Sequence, residues 1–318
     1  FSRYKLDGEG SAQFLRDNGT GGIPKVGRIG LIYFADDRGR IVTEVSAMRL
    51  AEDTFFIITA ATAQWHDFDV LKSRMPQDAK FTITDVTKAF SCQILTGPKS
   101  RDILADCSNG DLSLGWLTHQ SAQIDGTWVQ LVRVSFAGEL GWEIHSKVED
   151  TAAVYAAVLK AGAKHGLKPF GMFALNSLRI EKGYRAWKGD LSTDYTMLQG
   201  GLERFVKFDK GDFPGKAALL AEKHKGVTKQ FVTLTLDEVP PSDAPYMSTI
   251  SHKGEVVGET TSGAYGYRIN KAVALGMLRP DLAVEGTKVT INIFGEDCVA
   301  TVQKDEPLWD PANDRIRA

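Results

Sequence analysis

The stretch FSCQILTGPKSRDIL, Phe90 to Leu104, echoes FSRYKLDGEGSAQFL, Phe1 to Leu15, at one constant offset. Phe1/Phe90, Ser2/Ser91, Leu6/Leu95, Gly8/Gly97, Ser11/Ser100 and Leu15/Leu104 coincide. Each copy reads as a strand, a glycine-containing turn, a serine placed to cap a helix N-terminus, and an amphipathic helix. Two such units predict one domain with pseudo-symmetric halves that need not be contiguous. On this reading residues 1–20 and 88–210 make a discontinuous central domain, and residues 21–87 are an inserted α/β domain.

Outward from the echo, GRIGLIYFADDRGRIVTEVSAMRLAEDTFFIITA gives strands broken at DDRG and AED, then a helical AQWHDFDVLKSRM. TWVQLVRVSFAGELGWEIHS reads as a hairpin around Ala137 and Gly138, and EDTAAVYAAVLKAGAKHG as a helix closed by Gly166. GMFALNSLRIEKG is a second helix, with Met172, Leu175 and Leu178 on its apolar side and Phe173 and Ile180 less regularly placed. From about Lys229 short strands alternate with Gly and Pro turns, so residues 228–318 read as a β-rich C-terminal domain, a small antiparallel barrel or sandwich.

The composition narrows the function classes. With 318 residues, 43% of them hydrophobic, the chain can build a large core in two or three compact units. Its 38 basic and 40 acidic residues leave a net charge of −2, which favours neither nucleic acid nor an anionic membrane. The apolar runs fall short of the roughly 20 residues that span a bilayer. Cys92, Cys107 and Cys298 are far apart and odd in number, which suggests a reducing compartment: the cytoplasm, or the mitochondrial matrix in a eukaryote. The chain opens at Phe1 inside a strand-like pattern, so its natural N-terminus is expected upstream.

Motifs for nucleotides, metals and serine hydrolysis are weak or absent. DGEGSAQ has two of the three glycines of a dinucleotide fingerprint and no acid at the required distance; no P-loop and no GxSxG occurs. The six histidines never pair at i, i+3 or i+4, so no metal site is expected. Strand carboxylates carry more. In RIVTEVSA, alternation puts Glu44 with Val42 and Ser46 on one face, where a half-buried acid is either paired with a structural partner such as arginine or tuned as a site residue. Glu143 poses the same choice between Trp142 and Ile144, whereas Glu139 lies at a hairpin tip. LRIEKGYRAWKGDLSTDYT is either a solvated connection or the rim of a pocket for an extended anionic ligand.

SFAGELGWEIH, preceded by LTGPKSRDIL and followed by ALNSLRIEKGYR, resembles the aminomethyltransferase family of the glycine cleavage system, the T-protein family. VGRIGLIYFADDRGRI, AQWHDFDVL, TSGAYGYRINKAVALG and EPLWDPANDRIRA make the chain most similar to the folate-binding C-terminal region of dimethylglycine and sarcosine dehydrogenases. The resemblance implies an α+β fold of three lobes in a cloverleaf around a central folate-binding hole, the last lobe an antiparallel barrel. It implies tetrahydrofolate as cofactor. The family's essential aspartate falls on Glu44, an acid one methylene longer, and its pterin-holding glutamate on Glu143. A stacking tyrosine falls on Phe136, and the helix arginine that contacts folate falls on Leu175; both are departures. Tyr184, Trp309 and Phe1 match further contacts with the cofactor.

The activity implied is capture of a methylene group from an oxidised N-methyl amine to form 5,10-methylenetetrahydrofolate, with Glu44 as the proton-handling carboxylate. The expected partners are a small-molecule methyl or methylene donor and a flavin oxidoreductase domain or subunit. FAD would belong to that upstream domain or partner, because these residues carry no flavin fingerprint. Two alternatives stay open: a tetrahydrofolate-dependent O- or S-demethylase, and a non-catalytic folate-binding regulatory module.

Overall fold

The computed structural model describes all residues from Phe1 to Ala318. Its first sheet contains β1 (Ser2–Glu9), β2 (Ile29–Ala35), β3 (Ile41–Ala51), β4 (Thr54–Thr59) and β5 (Lys80–Asp85), in the order β2-β3-β4-β1-β5, with α1 (Ser11–Asn18) and α2 (Gln64–Ser73) packed on it. One face closes a core of Tyr4, Leu6, Leu15, Val45, Phe55, Ile57 and Leu71. The second sheet contains β6 (Phe90–Thr96), β7 (His119–Ile124), β8 (Thr127–Val132) and β9 (Gly141–Lys147) in the order β6-β9-β8-β7, with α3 (Ser100–Cys107) and α4 (Thr151–Gly162) over a core that includes Leu95, Leu104, Trp142 and Val154. Read from the other end, β7-β8-β9-β6 repeats β2-β3-β4-β1. The echo between the two peptides therefore extends to whole lobes.

The shared glycines and serines have a common physical cause. Gly8 and Gly97 sit at φ +124° and +120°, a region that favours glycine. Their amides donate to the carbonyls of Asp53 (3.0 Å) and Leu140 (2.8 Å). The hydroxyls of Ser11 and Ser100 reach the same two oxygens, at 2.8 and 3.3 Å. Each unit is thus fastened to a turn of its own sheet. Neither serine caps its helix: Gly10 and Lys99 hold the cap positions, and the serine is the first helical residue.

Strand pairing also corrects the expected partition. β1 lies between β4 and β5, in the sheet made by the segment that follows it, and does not join the lobe of β6. Residues 1–20 therefore group with 21–87 and not with 88–210. Local pattern identified the unit correctly but could not choose its strand partners, because pairing depends on contacts distant in sequence.

The two lobes meet where Ile29, Met48, Phe56 and Ile58 of the first sheet pack on Val132, with the Phe56 and Phe90 rings edge to face at 5.3 Å. Each such buried side chain contributes roughly 1.5–3 kcal/mol. After α5 (Met172–Ile180) and α6 (Lys216–Lys225), six strands close a barrel in the order β10-β13-β12-β11-β14-β15: β10 (Gln230–Leu236), β11 (Thr249–His252), β12 (Glu255–Gly266), β13 (Lys271–Leu278), β14 (Lys288–Ile293) and β15 (Glu296–Val302). The molecule is thus an α+β protein with an antiparallel C-terminal barrel. On α5, Leu175 and Ile180 are buried, whereas Met172 and Phe173 of the first turn are 76% and 94% exposed. From the barrel the chain returns to the preceding lobe: the Trp309 amide donates to the Glu181 carbonyl (3.0 Å), Lys182 Nζ to the Asp310 carbonyl (2.7 Å) and the buried Arg133 guanidinium to the Ile316 carbonyl (2.8 Å).

Candidate active site

Glu44 follows the alternation read from RIVTEVSA. Thr43, Val45 and Ala47 are buried on one face, and Glu44 lies on the other, directly opposite Tyr33 of β2. Its side chain is densely surrounded by protein yet is not sealed from solvent, which describes a group at the bottom of a hollow. It forms no ion pair, so the structural-arginine explanation of a half-buried strand acid does not apply. Burial pushes its carboxyl up to about 7; Asp67 and Asp190 push the same way, while the Tyr33 phenol and Arg185 oppose them. Such a group both takes and gives a proton near neutrality.

Behind Glu44 lies Asp67 of α2, a fully buried acid. It accepts hydrogen bonds from the Thr59 hydroxyl and from Trp187 Nε1 (3.2 Å), and its other oxygen lies 2.9 Å from His66 Nδ1. Thr59 Oγ1 is also 3.2 Å from the Glu44 carbonyl oxygen, so Asp67 is built into the strand end that carries Glu44.

Phe1 shares the Glu44 face. Continuing the β3/β4 and β4/β1 registers past Ser46–Ile58 and Ser2–Thr59 puts Glu44, Ala60 and Phe1 in one row, the outer two about 10 Å apart at Cα. The Phe1 amino group in turn feels the charges of Cys92 and Glu143 on the second lobe. Glu143 pairs with Ile94 and Val132, and its side chain is 16% exposed. One carboxylate oxygen is 3.0 Å from Nε2 of buried His145, and the other has no protein partner. The fold also gathers Cys92, Glu143 and His145 within 4.8 Å of one another, a grouping invisible to spacing because Cys92 faces His145 across two strands. Burial, and then the charge of Glu143, hold the Cys92 thiol well above its ordinary range.

The third group borders the barrel. The Phe136 and Tyr184 rings stack at 5.8 Å and 16°, and burial raises the Tyr184 phenol to about 12. Two guanidinium groups, of Arg268 and Arg315, lie over the Trp309 ring at 4.8 and 4.9 Å, so this ring props the wall and its faces are already engaged. Glu139, at the hairpin tip, pairs with Arg268 at 3.2 Å. Leu175 is buried in α5, with no polar atom to offer a ligand. Next to Tyr184, Arg185 stacks on Phe231, and its charge is felt at both Tyr33 and Glu44.

Of the six expected site residues, Glu44 and Phe1 share one face of the first sheet, Glu143 lies on the second sheet, and Phe136 and Tyr184 stack on each other. Trp309 is held between Arg268 and Arg315. Sequence reasoning missed Tyr33, Asp67, His145 and Arg185. The cation-rich LRIEKGYRAWKGDL did mark the surroundings of Arg185. Two open surface depressions, one lined by Arg101, Leu114 and Arg317 and the other by Asp17, Asp37 and Asp212, contain none of these residues.

Comparisons with known proteins converge on one family. The GCVT N-terminal domain matches residues 1–210 and the glycine cleavage T-protein C-terminal barrel domain matches residues 229–310. The chain is 33% identical over 325 residues to mitochondrial dimethylglycine dehydrogenase of Rattus norvegicus, an alignment that takes in 100% of this chain and 38% of that protein. It is 32% identical over 278 residues to mitochondrial sarcosine dehydrogenase of Mus musculus, covering 83% of this chain and 30% of the relative. With the aminomethyltransferase of Halothermothrix orenii it shares 28% identity over 304 residues, 94% of this chain and 84% of that one. The crystal structure of glycine cleavage system aminomethyltransferase T from Bartonella henselae has the same fold, with a TM-score of 0.88 at 24% identity over 98% of this chain and 84% of that chain. The chain spans less than two fifths of the dehydrogenases it matches.

Proposed function

This chain belongs to the glycine cleavage T-protein family of enzymes, and from that premise we propose that it performs tetrahydrofolate-dependent one-carbon transfer, capturing a methylene group from an oxidised N-methyl amine of the dimethylglycine or sarcosine type. The observation that carries this reading is Glu44: an acid without an ion-pair partner, on the floor of a hollow, poised near 7.

The surrounding residues fit a flat heterocycle with amide and amine groups. Glu143 keeps one oxygen without a protein partner, Phe136 and Tyr184 give an aromatic wall, and Phe1 bridges the row from Glu44 toward Glu143. When bound, tetrahydrofolate supplies two amine nitrogens that take up the carbon as a methylene bridge, releasing the amine and one proton. Glu44 accepts that proton at its carboxylate and, while ionised, stabilises positive charge on the incoming carbon centre. Tyr33 and Asp67 hold the strand end that carries it, so the acid stays aligned. Glu143, fixed by His145, anchors the ring. Oxidation of the amine is assigned to a flavin-bearing domain or subunit outside these residues.

The test follows methylenetetrahydrofolate formation from formaldehyde above the uncatalysed rate. Glu44→Gln is expected to abolish it while calorimetric tetrahydrofolate binding persists, and Glu143→Gln to weaken that binding. Unchanged turnover in Glu44→Gln refutes the assignment.

A further inference from the structure

Arg185 stands apart from every other buried cation of the fold. Arg179 is paired with Asp190 and bonded to Ser262; Arg133 is bonded to backbone carbonyls; Lys182 is held by Asp310 and Asn313. The Arg185 guanidinium has no hydrogen bond and no salt bridge, and its Nε is buried without a partner. It rests 3.9 Å above the Phe231 ring, an apolar support that leaves its edge free. Gly201, at φ +66°, makes room for it: a Cβ there would lie 2.7 Å from Nη2. Like Glu44, the side chain is densely surrounded but not sealed.

The charges around it do not neutralise it. Asp190 is already engaged by Arg179, by the Ala186 amide (2.9 Å) and by Thr261 (2.6 Å). Asp305 and Arg204 are exposed at the surface, and Tyr33 is a neutral phenol. Glu44 faces the same space without bonding to it. A guanidinium cannot shed its proton, so a buried one without a partner leaves a planar pair of N–H donors available to an anion. Their geometry matches a carboxylate.

We infer that Arg185 binds the carboxylate of the amine that carries the one-carbon unit, holding an amino-acid donor in the hollow with its nitrogen end toward Glu44. The inference rests on the function proposed above and adds to it the residue that holds the donor's carboxylate and so discriminates it from a simple alkylamine. A second carboxylate source is the glutamate tail of the folate. The position argues against it, because Arg185 shares the end of the site occupied by the proton-handling acid, and the tail of a ligand whose reactive nitrogens lie there extends away from it.

The experiment is calorimetry on the whole chain saturated with tetrahydrofolate, titrated with sarcosine and with dimethylamine, which is sarcosine without its carboxylate. Sarcosine is expected to bind saturably and dimethylamine at least about tenfold more weakly. Arg185→Met is expected to weaken sarcosine by about 10- to 100-fold, with Arg185→Lys recovering part of the loss and tetrahydrofolate affinity changing less than about twofold. Circular dichroism checks that both variants fold. Equal binding of the two amines, or sarcosine binding indifferent to Arg185→Met, overturns the inference. So does a loss of tetrahydrofolate affinity that tetrahydropteroate, which lacks the glutamate, does not share; that result gives Arg185 to the folate tail. Failure of the unaltered chain to bind tetrahydrofolate overturns the proposed function itself, whereas failure with sarcosine alone, folate bound, removes only the donor assignment.

Discussion

Replacing Glu44 by glutamine should stabilise the protein, and only at the pH where the acid would be charged. The carboxyl titrates near 7 in the fold against 4.5 for an unperturbed glutamate, chiefly because burial penalises its ionised form. Below pH 4.5 it is neutral in both folded and unfolded chains, and its burial carries no ionic penalty. Between 4.5 and 7 the folded state binds more protons than the unfolded, so stability falls as pH rises, and above 7 the loss is complete. A shift of that size corresponds to at most about 3 kcal/mol, less whatever solvent in the hollow screens. Glu44→Gln keeps the shape of the side chain and removes the charge. Urea denaturation of both proteins at pH 5 and pH 8.5 measures the effect: nearly equal stabilities are expected at the lower pH, and a variant more stable by up to about 3 kcal/mol at the higher. A difference independent of pH would show that Glu44 is not a desolvated acid, and the reasoning about its chemistry would fail with it. The same substitution should destroy turnover, so stability and activity move in opposite directions.

Asp67→Asn removes a negative charge that raises Glu44, so the acidic limb of the pH–rate profile should move to lower pH by up to about one unit; a fixed midpoint across a pH 5–9 series would contradict the coupling. Gly138→Ala puts a Cβ at φ +70° and 2.3 Å from Lys182 Cγ, on a side chain already held at its tip by Asp310 and Asn313. It should cost about 1–3 kcal/mol by equilibrium denaturation, and a change under about 0.5 kcal/mol would show that Lys182 yields freely.

What could be read in advance was local. Alternation located Glu44 on a half-buried face, the SFAGELGWEIH hairpin turns at the expected glycine, and the Gly166 helix stop is at φ +76°. Three kinds of information were not local. The edge that β1 joins depends on β4 and β5, which lie some fifty to eighty residues away, so the echoed units were assigned to one lobe when each belongs to its own. Whether a half-buried acid has a partner depends on which loops fold over it, and for Glu44 the nearest answers came from Asp67, Tyr33 and Arg185 on three separate segments. Apolar type was a poor guide on α5, where Met172 and Phe173 extend the helical stripe on paper but lie beyond the surface that buries Leu175. Serine, too, was ambiguous: the preference that suggested helix caps is outweighed at Ser11 and Ser100 by a nearby carbonyl already receiving a glycine amide.

The matching strand orders of the two lobes leave one berth unfilled. β5 flanks β1 on the side away from β4, but no strand flanks β6 on the corresponding side. Every second peptide group along Ser91–Leu95 therefore points outward from the sheet, toward side chains or water instead of a neighbouring ladder. The smaller sheet is hemmed on one margin only, and the strand carrying Glu143 lies immediately inside that margin. Each of the two acids sits one strand in from a margin, Glu44 on β3 inside β2 and Glu143 on β9 inside β6, so each is supported by an outer strand paired on one side only.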